Sequence, residues 1–342
     1  WAQCPGGAGG ANTGGGGGGG SHYNANNYGG DGGSGVIIVA FTNPVQREIL
    51  LSGGGRLTTG GNNADTTYSG KITTTGGMTK TGSGTFTLTS GQTYTGTTWV
   101  GDGVLMLANS NGPALYNGTN GTVIIGYNGN RGAGIYSGGL QFGATNQLGT
   151  NVDVQFSTTN NWSYMVLRGF NQTIGNLLMS GPNATGAVIE NVEGWTGYNS
   201  STLTINQTTN ATFTGIIRDG GSSTLGIIKN GAANLTLSGN SMDYTGGTTV
   251  NAGTLTLGGN TPGRGAIRGT VTVNQGATLD YSSIHSFGWD SGTSVNVLNI
   301  NGGTVGGADI ANHFWGGGAF TLNMNGGELK LGGGASNPTP TL

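Results

Sequence analysis

The chain has 342 residues, of which 76 are glycine; only 7% are charged and the net charge is −2. An ordinary globular protein carries roughly 25% charged residues, and without a Lys/Arg run this chain is excluded as an electrostatic binder of nucleic acid or anionic membrane. A single cysteine, Cys4, excludes an internal disulfide framework, and no apolar run is long enough to insert in a membrane as a helix.

In chain order, residues 1–35 form a glycine-rich arm in which eleven of the fifteen positions from Gly6 to Gly20 are glycine. Glycine loses the most backbone entropy on ordering, so such an arm needs a neighbour to hold it extended. Val36–Phe41 (VIIVAF) follows as an apolar strand that calls for burial on both faces. A solenoid domain is expected over 36–342, because short bursts of alternating apolar and Thr/Ser/Asn residues run to the end, broken by Gly, Asn or Asp. The bursts include Gly70–Thr74, Thr85–Leu88, Val104–Leu107, Thr122–Ile125, Val152–Phe156 and Leu203–Ile205. Later ones are Thr254–Leu257, Thr270–Val273, Thr278–Tyr281, Val295–Ile300, Phe320–Met324 and Glu328–Leu331. No stretch holds a period of 3.6 over three turns, so the expected fold is all-β.

Two segments repeat each other. Residues 80–107 read KTGSGTFTLTSGQTYTGTTWVGDGVLML and residues 229–257 read KNGAANLTLSGNSMDYTGGTTVNAGTLTL. Lys80 matches Lys229, Tyr94 matches Tyr244, and Val100, Gly103, Leu105 and Leu107 match Val250, Gly253, Leu255 and Leu257. A unit of this kind cannot bury its apolar face alone and must stack on neighbours, as in a β-solenoid with about 20–25 residues per coil. The pattern resembles the autotransporter-associated β-strand repeat, also called the passenger-associated transport repeat. The resemblance implies a bacterial surface or secreted passenger folded as a single-stranded, right-handed parallel β-helix. The chain opens on Trp1 and not Met, so it is either processed or a fragment; processing by a signal peptidase would place it outside the cytoplasm, and an extracellular or cell-surface location is expected.

No catalytic, metal or cofactor site is expected. General acid–base work needs two carboxyls on one face, whereas the acids here are scattered; Glu190 and Glu193, three apart in an extended segment, point to opposite faces. His22, His285 and His313 lack metal-ligand spacing, and GGDGGSG (Gly29–Gly35) is one copy of a pattern that calcium-binding arrays use in tandem. His285, Phe287 and Trp289, with His313, Phe314 and Trp315, are candidates for an aromatic surface that meets sugar rings or another subunit, or else for an internal stack. Lys80 and Lys229 read as turn residues. The leading expectation is a structural subunit that polymerises with itself, its solenoid ends assisted by the arm, by Val36, Ile37, Ile38, Val39 and Phe41, and by Cys4 as a cross-subunit thiol. The alternative is a monomeric adhesin or stalk that binds glycans or a cell surface.

Overall fold

The computed structural model describes residues 48–116, 120–126, 139–157, 162–180, 186–192, 197–239, 242–258, 267–281, 286–287, 294–307 and 321–330. These residues form an all-β parallel solenoid. Each coil lays one strand on each of up to three faces, so strands neighbouring in space are one coil apart in sequence. Face I is a six-stranded sheet from Arg56–Thr59 to Leu177–Ser180, continued by a second six-stranded sheet from Ala211–Phe213 to Glu328–Leu329. The seam is tied where Thr214 donates to the Met179 sulfur from its Oγ1 at 2.9 Å. Face II is an eight-stranded sheet from Thr66–Tyr68 to Met242–Asp243. Face III opens with the pair Ile49–Leu50 and Ile72–Thr73 and returns as a seven-stranded sheet from Gln172–Ile174 to Thr321–Met324.

Every inter-strand ladder in these sheets is parallel, which requires a long crossover between paired strands; here the rest of the coil serves as the crossover. The spacing is that expected from sequence in most coils. Backbone-to-turn bonds join residues 20 apart at Asn63–Ser83 and 24 apart at Asn210–Asn234, and stretch to 38 at Asn109–Gln147, where a longer excursion is inserted.

Alternating residues point inward and stack in columns. On face I, Leu57 pairs with Met78, then Thr98, Val123, Val154 and Leu177 follow in register. Beyond the seam the column resumes as Ala211, Leu235, Leu255, Leu279, Val305 and Leu329. Between its ends every member except the half-buried Ala211 at the seam is fully buried. Each fully buried Leu or Val contributes about 1.5–3 kcal/mol of hydrophobic stabilisation, so cohesion accumulates coil by coil.

Face II departs from simple alternation. Gly139–Phe142, Ser163–Val166 and Ala187–Glu190 are buried at every position, so both sides of the sheet are covered there. Its inner side holds Leu140, Phe142, Met165 and Ile189, and its outer side carries a small second cluster of Tyr164, Val166 and Val188. Trp162 stacks on Tyr164 with ring centroids 6.2 Å apart.

Candidate functional site

The features most specific to this chain are its polar ties between coils and the two ends of the stack. The ties begin with the repeated lysines. Lys80 ends the face I strand Gly77–Lys80, and its side chain turns inward and is fully buried. Its Nζ donates to the carbonyls of Thr81 and Gly82 at 2.8 Å each and to Asp102 one coil on at 3.1 Å. Lys229 repeats the arrangement, donating to Gly231, Ala233 and Ala252 at 2.6, 2.5 and 2.8 Å. A buried ammonium without acceptors would be prohibitive; here three turn carbonyls satisfy it and two consecutive turns share one cation. Burial lowers the Lys229 ammonium to about 8, so it is charged at neutral pH. The expectation of turn residues is corrected in part: both lysines sit in strands, and it is their ammonium groups that hold the turns.

The second repeated tie is a tyrosine and a threonine four residues apart. Tyr94 Oη lies 2.5 Å from Thr98 Oγ1, Tyr244 Oη lies 2.8 Å from Thr248 Oγ1, and both rings are fully buried. Gly103 and Gly253 follow in the left-handed region, with φ of 61° and 62°. A Cβ on Gly103 would stand 2.3 Å from the Gly82 carbonyl oxygen, so the next turn can close only over a glycine. Lysine and glycine thus fasten one corner in two consecutive coils, and the Tyr–Thr pair fastens the corner that precedes it.

The two copies occupy different faces. In the first, the lysine strand Gly77–Lys80 lies on face I and Thr85–Leu88 on face II. In the second, Leu225–Asn230 lies on face III and Asn234–Leu237 on face I. The repeat is rotated by one face between its copies, so it encodes a way of turning a corner and no particular side of the solenoid.

Three further ties went unread in the sequence. Gln92, Gln147, Gln172 and Gln207 are buried to within 1%. Their Oε1 atoms accept backbone N–H groups of Ile72, Asn109, Gln147 and Leu177 at 2.6–3.0 Å. Their amide nitrogens donate to turn carbonyls such as Ser90 and Ala144, each at 2.8 Å. At the end of the face III strands an asparagine ladder runs Asn206, Asn230, Asn251, Asn274, Asn301, Asn325. Each Nδ2 donates to the preceding Oδ1 at 2.6–3.2 Å. Face II carries Glu190, Arg218 and Asp243 in register, with Arg268 bonded to Asp243. Arg218 Nε meets the fully buried Glu190 at 2.7 Å. The signals were present as recurrent Gln before Thr or Leu and Asn at strand ends, hidden in a composition rich in Asn and Thr.

Among the residues expected at a site, Phe287 lies 3% exposed, edge-on to Tyr281 at 5.3 Å, which makes it part of the core and removes it from any exposed aromatic surface. Cys4, Val36, Ile37, Ile38, Val39, Phe41, His285, Trp289, His313, Phe314 and Trp315 lie outside the described residues. The described acids do not converge. Asp153 is on face I with its Oδ1 bonded to Asn176, Asp280 is on face I coils away, Glu190 is on face II, and Asp219 lies in the turn after the face II strand Ile216–Arg218, bonded to Leu225 N. One open, shallow groove runs along the corner between faces III and I, lined by Asn120, Thr122, Asn151, Asp153, Asn176, Asn206 and Thr208. Asn176 organises it, accepting at Oδ1 from Thr208 N (2.8 Å) and Thr209 N (2.9 Å).

The ends of the stack form the remaining candidate surface. Among the described residues the large exposed apolar side chains are Leu50, 65% exposed, and Met324, 43% exposed, and both sit on terminal rungs of face III. Ile49 and Leu57 at one end, and Leu322 and Leu329 at the other, only half-close the core.

These features define a parallel β-solenoid whose coils are stitched by repeated interior polar ties. Compared with known families, residues 78–107 and 227–257 match the passenger-associated-transport-repeat, so the chain carries two copies of that repeat. No curated protein and no solved structure matches the chain.

Proposed function

We propose that this chain is a structural subunit of a bacterial extracellular filament or surface assembly, self-associating through the ends of its solenoid with the N-terminal glycine-rich arm. The two passenger-associated transport repeats support an autotransporter-passenger-like surface protein with a surface or extracellular location. The observation that carries the finer reading is the state of the two ends. An edge strand offers backbone N–H and C=O groups to any strand laid beside it, and such edges add strands unless they are blocked. Here the last described rungs of face III expose the apolar side chains of Leu50 and Met324. Negative-stain electron microscopy and sedimentation of the purified chain test the reading, and polymers are expected. Deletion of residues 1–35 is expected to abolish them while leaving the solenoid folded; unchanged filaments would remove the arm from the mechanism.

A second reading, a monomeric stalk that binds glycans, draws on the corner groove, where Asp153 and several asparagine amides face solvent over successive coils. It predicts a monodisperse monomer with glycan-array signal that Asp153→Ala removes.

A further inference from the structure

A chain that self-associates must commit particular surfaces to the contact, and the junction assigned to them here rests on that proposed function. Both ends of the described stack present a strand of face I and a strand of face III. Among the described residues the inward column of face I runs from Leu57 to Leu329, and both of these are only partly buried. The residue before each points outward and is exposed: Arg56 at one end and Glu328 at the other. Face III likewise ends in Ile49–Leu50 on one side and Thr321–Met324 on the other. Met324 continues the column of the fully buried Ile300 and is nevertheless 43% exposed, so an apolar side chain at a core position is accessible there.

We propose that a second copy of this chain lays its own edge strands on these accessible core positions. The Glu328–Leu329 edge of one copy pairs in parallel with the Arg56–Thr59 edge of the next, and the Thr321–Met324 edge pairs with Ile49–Leu50. Leu329 then lies over Leu57 and Leu322 over Ile49, which joins two columns of the core across the junction. Adjacent rungs sit about 4.8 Å apart, which brings the Glu328 carboxylate beside the Arg56 guanidinium. Arg56 already donates to Met78 O (3.0 Å) and Thr79 Oγ1 (2.9 Å), and Glu328 has Lys330 at 3.4 Å; the junction adds an opposite charge to each. The contact joins unlike surfaces by a translation along the solenoid, so it does not close and propagates as a filament. Its edge hydrogen bonds are those of strand addition.

The test uses the full chain with two end-blocking variants, Leu57→Lys and Leu329→Lys, whose folding is checked by circular dichroism. Each variant alone is expected to sediment as a monomer. Their equimolar mixture is expected to give a dimer and nothing longer, because only one intact junction can form. Arg56→Glu or Glu328→Arg alone is expected to raise the critical concentration about tenfold, and the double charge swap to return it to within about twofold. Wild-type polymers together with polymers from both lysine variants would overturn this junction and leave self-association standing. A wild type that stays monomeric at all concentrations would overturn self-association and the junction with it.

Discussion

Replacing Lys229 by methionine keeps the volume and apolar stem of the side chain and removes its ammonium. Three carbonyls, on Gly231, Ala233 and Ala252, then lose their donor in a place water does not reach. An orphaned buried acceptor costs about 1–3 kcal/mol, while recovery of the ammonium's desolvation penalty returns several kcal/mol. The difference lands at about 3 kcal/mol, near the low end of what removing one partner from a buried charged contact costs. Lys80→Met should cost a similar amount, and the two losses should add, because the sites share no partner. Lys71→Met, at an exposed position, serves as the control and should stay within about 0.5 kcal/mol. The assay is urea unfolding, with hydrogen exchange beside it, because a solenoid can open locally without unfolding throughout. Exchange should quicken first in the turns around Gly231 and Ala252. A Lys229→Met protein as stable as the wild type, with unchanged protection in those turns, would refute the view that the repeat's lysine holds the coils together.

Alkaline stability should have two limbs. The folded chain releases the Lys229 proton near pH 8 whereas an unfolded lysine keeps its own to about 10.5, so this group makes the fold more stable as pH rises across that window. Desolvation raises the phenols of Tyr94, Tyr244 and Tyr116, the last to about 12, against 10 in the unfolded chain. Their contribution is complete below pH 10 and is lost as pH climbs through 12; denaturant midpoints at intervals from pH 7 to 11.5 should rise and then fall, with the rise missing in Lys229→Met. Thr248→Val strands the buried Tyr244 hydroxyl and should cost about 1–3 kcal/mol, more than Tyr244→Phe, which removes the hydroxyl itself; equal losses in thermal melts would count against the tie. Gly103→Ala should lose more than about 3 kcal/mol, because left-handed strain of roughly 1–2 kcal/mol is joined by the collision with the Gly82 carbonyl. Gly53, at φ 63° with open space around its Cβ position, should lose only about 1 kcal/mol in the same substitution, measured by chemical denaturation.

The strands that sequence reading found are those with one wet side. Thr85–Leu88 and Thr254–Leu257 alternate in composition because they alternate in burial, and the repeated segments stand out for the same reason. Gly139–Phe142, Ser163–Val166 and Ala187–Glu190 escaped because both sides of face II are covered there, which removes the period of two. The ties escaped for another reason. Gln172 or Lys229 looks polar and therefore exposed, and only the closed coil shows that turn carbonyls surround it. For Phe287 the cluster of His and Trp around it left a surface platform and an internal stack both open, and only the closed coil puts its ring in the core against Tyr281.

The one-face rotation between the two repeats bears on how such a chain changes length. Because each copy brings its own lysine clasp, Tyr–Thr corner and permissive glycine, it needs from its surroundings only a coil to rest upon. Recombination between the copies, which lie about 150 residues apart, would excise or duplicate everything from one clasp to the next. The incoming segment would arrive turned by a third of a circuit and still find a strand beneath each of its own. Length would then change by whole segments, because the repeat already closes its corner on two different pairs of faces.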